Sequence, residues 1–254
     1  MSLFTYKVAG ACATGRSHIA AQIPCQDAVG FVRKRDMAAV AVADGAGSRA
    51  QSQFGAEAVV RAALRMLTGD FDELYELCAR DPEAARAFIH EKLMRALKRQ
   101  ANRLECGLDA LASTLLCVAH KGDSYVAVHL GDGVIVRVEN DGVAHILSHP
   151  DNGEYANTTY FVTDSTAQSK IRLYHGTEPP RLAGFALMSD GCAESLYDKR
   201  AGTPGAAVSK LLGWTRDKRR SVIASILADN MAQNFTKRSA DDCALALLST
   251  PHAG

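Results

Sequence analysis

The sequence predicts an α+β fold in which antiparallel sheets are covered on the outside by helices. Strand-like segments occur in blocks separated by blocks of helix, and they do not alternate regularly with helices as they would in a doubly wound parallel sheet. No repeat, low-complexity tract or proline-rich linker divides the 254 residues. A single domain over residues 1–254 is therefore expected.

The elements follow in chain order from residue type and periodicity. β-branched, aromatic or small residues broken by turns predict strands, for example at residues 37–43. Apolar residues recur every third or fourth position from residue 51 to 67, which predicts a helix, and Pro82 is well placed in the first turn of another. The predicted strands are 4–8, 28–32, 37–43, 113–119, 124–130, 134–138, 143–147, 160–163, 171–174, 182–188 and 243–248, and the predicted helices are 51–67, 71–78, 82–105, 206–212 and 219–234.

Charge and cysteine content exclude several classes of function. The formal net charge is +1, and basic residues are mixed with acidic ones, so neither a nucleic-acid partner nor an anionic membrane surface is expected. The seven cysteines are odd in number and contain no Cys-x-x-Cys pair, which argues against a disulfide framework and a thiolate zinc site. Such cysteines are typical of a reducing compartment, and we expect a cytoplasmic protein.

Four short segments place an aspartate directly after a run of strand-forming or small residues. A carboxylate at the end of a buried strand, followed by a glycine where the chain turns, projects into a cleft, and several such ends would form a cage of hard oxygen ligands for Mg²⁺ or Mn²⁺. Taken singly, an Asp-Gly pair is more often a turn than a ligand. The segments are residues 43–47 (Ala-Asp-Gly-Ala-Gly), 130–133 (Leu-Gly-Asp-Gly), 188–191 (Met-Ser-Asp-Gly) and 240–243 (Ala-Asp-Asp-Cys).

In their order along the chain, these segments and their neighbours resemble the metal-dependent serine/threonine protein phosphatases of type 2C, the PPM family, and within it a compact bacterial branch. The resemblance covers nearly the whole chain and implies a single phosphatase-like domain with a central antiparallel β-sandwich flanked by helices on both sides. The segments that carry it are residues 17–18 with 24–28, then 44–48, 131–133, 153–158, 190–191 and 241–242.

The resemblance implies oxygen ligands for two Mn²⁺ or Mg²⁺ ions, with a looser third site. Asp44 would bridge the two ions, and Asp242 could replace Asp241 as a ligand, an alternative that the sequence leaves open. The other implied ligands are the carbonyl of Gly45, Asp190 and Asp241 at the first ion, Asp27 at the second, largely through water, and Asp132, Asp190 and Glu194 at the third.

The same resemblance implies an activity and partners. A water that bridges the ions would attack phosphoserine or phosphothreonine without a covalent phosphoenzyme. The expected partners are a phosphorylated protein substrate and a cognate serine/threonine kinase, and the expected state is a monomer. Two other classes remain as alternatives: a catalytically weak or inactive regulatory module with the same fold, and a hydrolase of small phosphoesters.

Two positions depart from the family pattern. Ala46 stands where well-known relatives have a histidine that protonates the leaving group, and Gln22 stands where many have a phosphate-binding arginine. We therefore expect aryl phosphates, which are better leaving groups, to be cleaved more readily than phosphoserine. The candidates to replace the missing groups are His18, Arg16 and Arg49, and residues 152–159 are the candidate for a flap over the site.

Overall fold

The computed structural model describes residues 5–151, 159–177 and 182–251. Two five-stranded antiparallel sheets are present, with strand orders β1-β12-β9-β6-β7 and β2-β3-β4-β5-β8, together with a small hairpin of β10 and β11. The strands are β1 Lys7–Ala13, β2 Ala28–Arg33, β3 Met37–Ala43, β4 Leu115–Lys121, β5 Ser124–Leu130, β6 Val134–Glu139, β7 Ala144–Ser148, β8 Arg172–Thr177, β9 Leu182–Met188, β10 Tyr197–Asp198, β11 Thr203–Pro204 and β12 Cys243–Ser249.

The helices precede, interrupt and follow the strands. The longest, α2 and α4, are joined by α3, and α4 begins with Pro82 next to an Asp81 side chain that accepts a hydrogen bond from the backbone N–H of Ala84. The helices are α1 Arg16–Ala21, α2 Ser52–Gly69, α3 Phe71–Arg80, α4 Pro82–Leu104, α5 Ala167–Lys170, α6 Asp190–Leu196, α7 Ala207–Asp217, α8 Arg220–Asn230 and α9 Thr236–Arg238, with a 3₁₀ turn at Leu108–Leu111 and a π turn at Met231–Phe235.

Three apolar clusters show that the elements form four layers. One cluster fills the space between the two sheets and includes Val40, Leu116 and Phe185. A second lies between the β2-β3-β4-β5-β8 sheet and α2–α4, and the third lies between the other sheet and α6–α8. Because β3 and β9 are covered on both faces, every residue of each strand is buried. The predicted α-β-β-α architecture is confirmed.

The differences from the sequence prediction are local. Residues 160–163 are not a strand: the Phe161 N–H donates to the Asp164 carboxylate and the Asp164 N–H donates to the Phe161 carbonyl, which closes a turn. The first strand begins at Lys7 and runs to Ala13, where its last residue pairs with Cys243. The short helices α1 and α6 were not predicted, because each is too short to show the helical periodicity of apolar residues.

Two further expectations concern the whole chain. All seven cysteines are free, as predicted. Over the described ranges, no helix has the length and apolar character needed to cross a membrane.

Candidate metal centre

One end of the sandwich gathers the aspartates that the sequence singled out. Asp44 directly follows β3 and Asp27 directly precedes β2, and the pairing of Ala28 with Ala43 brings these two carboxylates side by side. The other sheet contributes Asp190, which opens α6 just after β9. The remaining members are Asp132, two residues beyond β5, and the pair Asp241 and Asp242, just before β12.

Asp44 lies at the centre of this acidic group. Burial raises the pKa of its carboxyl well above the usual value, and repulsion raises it further, from a set of four other carboxylates: Asp27, Asp190, Asp132 and Asp241. Its backbone is fixed by Thr114, whose hydroxyl accepts the Asp44 N–H at 2.9 Å and whose N–H donates to the Asp44 carbonyl at 2.8 Å. The fold therefore holds a central carboxylate rigidly among groups of the same charge.

Asp190 and Asp132 share this electrostatic environment. Burial first, then repulsion from Asp132 and Asp241, raises the pKa of Asp190 to about 6. Burial is also the main cause of the raised pKa of Asp132, and its Oδ1 atom is buried without a hydrogen-bond partner in the described part of the chain. Glu194 stands exposed on α6, one helical turn beyond Asp190.

Asp27 is held by a serine that the sequence analysis did not single out. The Ser189 hydroxyl donates to Asp27 Oδ2 at 2.7 Å, and its oxygen accepts the Ala244 N–H at 2.9 Å. Burial raises the pKa of Asp27 well above its usual value, and the Ser189 hydrogen bond opposes that rise. Ser189 belongs to the 188–191 motif, and its place between a buried strand and Asp190 was the available signal.

The neighbouring Asp241 and Asp242 have different surroundings. Asp242 is buried, and its Oδ1 accepts the Gly15 N–H at 2.7 Å. Its Oδ2 accepts the Gln26 N–H at 2.6 Å and lies 2.9 Å from His18 Nδ1. Asp241 is exposed, and it contributes to the charge that raises the pKa of Asp44. Asp242 thus ties the N-terminal segment to β12, whereas the Asp241 side chain is exposed and its Oδ1 accepts the Asp242 N–H at 2.8 Å.

Of the candidate replacements, Arg49 belongs to the loop after Asp44, and His18 lies against that loop. Because the Asp242 carboxylate accepts hydrogen bonds, His18 Nδ1 carries the shared proton, and Nε2 is the nitrogen that faces away from the pair. A Cβ atom built on Gly47 would lie 3.9 Å from that Nε2. Arg16 and Arg49 are both exposed, and Arg16 Nε donates to the Ser239 carbonyl at 3.4 Å.

Two glycines of the motifs have a packing role rather than the sharp turn that we predicted. A Cβ atom on Gly45 would lie 2.6 Å from the Gln26 carbonyl oxygen, and one on Gly191 would lie 2.1 Å from that of Asp242. Neither glycine has a positive φ. Glycine is needed after these aspartates because backbone from distant segments passes directly against them.

The chemistry of these residues fits Mg²⁺ or Mn²⁺. Partly buried carboxylates that repel one another, together with an unpartnered Asp132 oxygen, provide hard oxygen ligands that a divalent cation would neutralise. Within the described ranges, no three His, Cys, Asp or Glu side chains are already placed so that together they could hold a metal ion. These ions retain several waters and need few protein ligands. Of the predicted flap, residues 152–159, residues 152–158 fall outside the described residues, and the 153–158 segment of the family pattern falls outside them with these.

Comparisons with known proteins agree with this reading of the fold. A model of the family described as protein phosphatase 2C matches residues 14–234. Serine/threonine-protein phosphatase 3 of Escherichia coli (strain K12) is 30% identical over 192 residues, which is 74% of each chain.

Solved structures show the same fold at lower sequence identity. PppA, a key regulatory component of T6SS in Pseudomonas aeruginosa, superimposes with a TM-score of 0.63 at 17% identity, covering 97% of this chain and 98% of that chain. Serine/threonine phosphatase Stp1 from Staphylococcus aureus gives a TM-score of 0.65 at 13% identity, covering 97% and 95%. With a family model that spans most of its length, the chain belongs to the protein phosphatase 2C family of metal-dependent serine/threonine protein phosphatases.

Proposed function

We propose that this protein phosphatase hydrolyses phosphoserine and phosphothreonine with two Mn²⁺ or Mg²⁺ ions held around Asp44, with room for a third. The observation that carries the proposal is the position of Asp44, a half-buried carboxylate under repulsion from four others. A cluster of that charge is unfavourable alone and becomes favourable when divalent cations are bound. The whole of residues 1–254 would act as one phosphatase domain.

The proposed ligands follow from the surroundings of each carboxylate. Asp44 would bridge the ions with help from the Gly45 carbonyl, and Asp27, fixed by Ser189, would reach the second ion largely through water. We assign Asp241 rather than Asp242 as a ligand, because both oxygens of Asp242 already accept hydrogen bonds. The remaining proposed ligands are Asp190 at the first ion, and Asp132, Asp190 and Glu194 at the third.

The chain's own residues would then orient the substrate and move a proton. When bound, the ions supply an activated water as nucleophile and neutralise the phosphoryl oxygens that gain charge. His18, oriented by Asp242, would present Nε2 to the substrate beside the loop where Ala46 replaces the family histidine. A protonated His18 would bind the phosphate or donate a proton to the leaving oxygen, and Arg16 would supply a second positive charge.

The free cysteines and the family indicate the cellular setting. Seven free cysteines fit a reducing cytoplasm. A phosphorylated protein is the substrate class of the family, and a serine/threonine kinase is the proposed opposing enzyme. We propose a monomer.

The test is an assay of purified protein on p-nitrophenyl phosphate and on a phosphothreonine peptide, with and without Mn²⁺. The proposal requires turnover of both that is lost in chelator, restored by Mn²⁺ and abolished by Asp44→Asn. Binding of the phosphopeptide without phosphate release would instead indicate a regulatory module. A nucleotide is assayed as a third substrate, and its preferential cleavage would indicate a small-phosphoester hydrolase.

A further inference from the structure

A second concentration of charge lies on the outer surface, between α2 and α4. A cavity of about 180 Å³ is lined by four arginines, two from each helix, over a floor that includes three alanines and Gln100. We call this surface the arginine groove. Its charged members are Arg61 and Arg65 from α2 and Arg99 and Arg103 from α4.

The arrangement of these arginines is unfavourable without a counterion. Arg61 and Arg65, like Arg99 and Arg103, are four residues apart on one helix, a spacing at which like charges destabilise the helix. Arg61 is paired with Glu57 at 3.3 Å. In the described part of the chain, the other three form no ion pair with a carboxylate.

Gln100 provides independent support for a ligand. Its side chain lines the groove, is only 8% exposed and has an Nε2 donor without a hydrogen-bond partner. A buried amide donor left unpaired is costly, and native proteins rarely leave one without a partner from solvent or a ligand. An acceptor in the groove would satisfy it.

We propose that the arginine groove binds an oxyanion of the phosphate class. Planar guanidinium groups match phosphate oxygens by paired hydrogen bonds, and the Gln100 amide adds a neutral donor from the floor. The cavity is smaller than a typical drug-sized ligand pocket, which suits a single phosphoryl group. The anion is either free phosphate or a phosphoryl group carried by a protein, since both present the same dianion.

The groove is separate from the metal centre and does not depend on it. The chain from Asp44 leads into α2 at Ser52, and Arg61 lies nine residues further along that helix. At 1.5 Å of rise per residue, this is a displacement of roughly 14 Å along the helix axis. Failure of one proposal would therefore leave the other intact.

The experiment titrates the full chain, in chelator and at constant ionic strength, with inorganic phosphate and separately with a phosphothreonine peptide, by calorimetry. Without metal, the acidic centre repels phosphate, so the groove is the expected site. The double variant Arg65→Gln/Arg99→Gln is expected to bind about tenfold more weakly or worse. The matched control is Lys98→Gln, which removes one positive charge from the same helix at an exposed position outside the groove lining, and its affinity should be unchanged.

A second variant separates anion binding from packing. Gln100→Leu removes the unpaired donor while keeping the volume, so in phosphate-free buffer the variant should be at least as stable as the wild type, yet it should bind phosphate several-fold more weakly. Turnover of p-nitrophenyl phosphate with Mn²⁺ checks folding and should be unchanged in all these variants.

Each outcome of the titrations decides the proposal. Binding of inorganic phosphate that falls in the groove variants supports a free anion, and binding of the phosphopeptide alone with the same sensitivity supports a protein-borne phosphoryl group. The proposal is overturned if neither ligand binds the wild type, or if the groove variants bind like the Lys98→Gln control.

Discussion

The metal centre and the arginine groove both collect charges of one sign, but they do so with opposite construction. The aspartates are short side chains fixed at strand ends, and burial together with mutual repulsion raises the pKa of Asp44 well above its usual value. The groove consists of long, exposed side chains on two helices. Repulsion in the buried cluster acts through a low dielectric, whereas repulsion in the groove is screened by water and salt.

This difference determines where a change of charge should have large consequences. In the metal centre, each substitution should alter activity, ion affinity and the stability of the metal-free protein together. In the groove, a substitution should alter anion binding with little effect on folding or turnover.

The largest expected effect is that of Asp44→Asn. Loss of the central carboxylate should reduce Mn²⁺-dependent turnover of p-nitrophenyl phosphate by roughly 10³-fold or more, because removing one member of a group of residues that act together in catalysis costs nearly as much as removing them all. The same change should raise the melting temperature in chelator, because it removes a charge that partial burial and repulsion from four neighbours disfavour.

The comparison variant for Asp44→Asn is Arg99→Gln, which should change neither turnover nor the melting temperature appreciably. Equal loss of activity in the two variants would contradict the separation of the two charge clusters.

A smaller, substrate-dependent effect is expected for His18→Gln. If His18 protonates the leaving oxygen, turnover of a phosphothreonine peptide should fall by about 10²-fold, while p-nitrophenyl phosphate, whose leaving group needs little protonation, should lose much less. The measurement is kcat for both substrates at saturating Mn²⁺.

Arg16→Gln supplies the contrast for His18→Gln, because a residue that only binds phosphate should raise KM for both substrates alike. Equal losses on the two substrates in His18→Gln would assign His18 to binding and leave the proton donor elsewhere.

The adjacent aspartates test how the carboxylates divide between structure and metal binding. Asp242→Asn should lower the free energy of unfolding by about 1–3 kcal/mol, because an amide cannot accept all the hydrogen bonds from Gly15, Gln26 and His18. Asp241→Asn should leave stability within about 0.5 kcal/mol, since it is exposed, but weaken Mn²⁺ activation by about tenfold or more. The reverse pattern would make Asp242 the ligand.

The fold and the acidic centre were accessible from sequence for the same physical reason. A strand end is recognisable from the local sequence, as a run of apolar residues closely followed by an aspartate and a glycine. Asp44 and Asp190 could therefore be identified without knowledge of their neighbours in space. Ser189 and the Asp242–His18 pair were harder to predict, because their roles depend on hydrogen bonds between residues that are distant in sequence. Ser189 and Asp27 are separated by 162 positions, and His18 and Asp242 by 224.

The arginine groove could not be predicted from sequence at all. Along the chain, Arg61 and Arg65 are ordinary residues on the polar face of an amphipathic helix, as are Arg99 and Arg103. Only the lateral packing of α2 against α4 makes them one surface, and only the structure shows the unpaired Gln100 amide beneath them.

A pH-dependent difference in stability is expected between the metal-free wild type and Asp190→Asn. The pKa of Asp190 is raised to about 6 in the folded protein, so the folded state holds this proton more tightly than the unfolded chain does. The stability that protonation provides is present below the usual pKa of the group and is lost as pH rises through about 6.

Asp190→Asn should therefore be more stable than the wild type at pH 7.5, by about 2 kcal/mol, and nearly equal to it at pH 4. Burial lowers the pKa of His120 to about 4 and that of His129 to about 3, so acid destabilises both proteins through these histidines. Their contribution is the same in the wild type and in the variant, and it cancels when one free energy of unfolding is subtracted from the other. Denaturant unfolding in chelator at several pH values measures the difference in the free energy of unfolding. Mn²⁺ in place of the chelator should reverse the sign of this difference at pH 7.5, because the ion binds more tightly to the chain that retains the Asp190 carboxylate. A difference that stays flat from pH 4 to 8 would mean that Asp190 ionises freely, and that the acidic end of the sandwich does not store the repulsion on which ion capture depends.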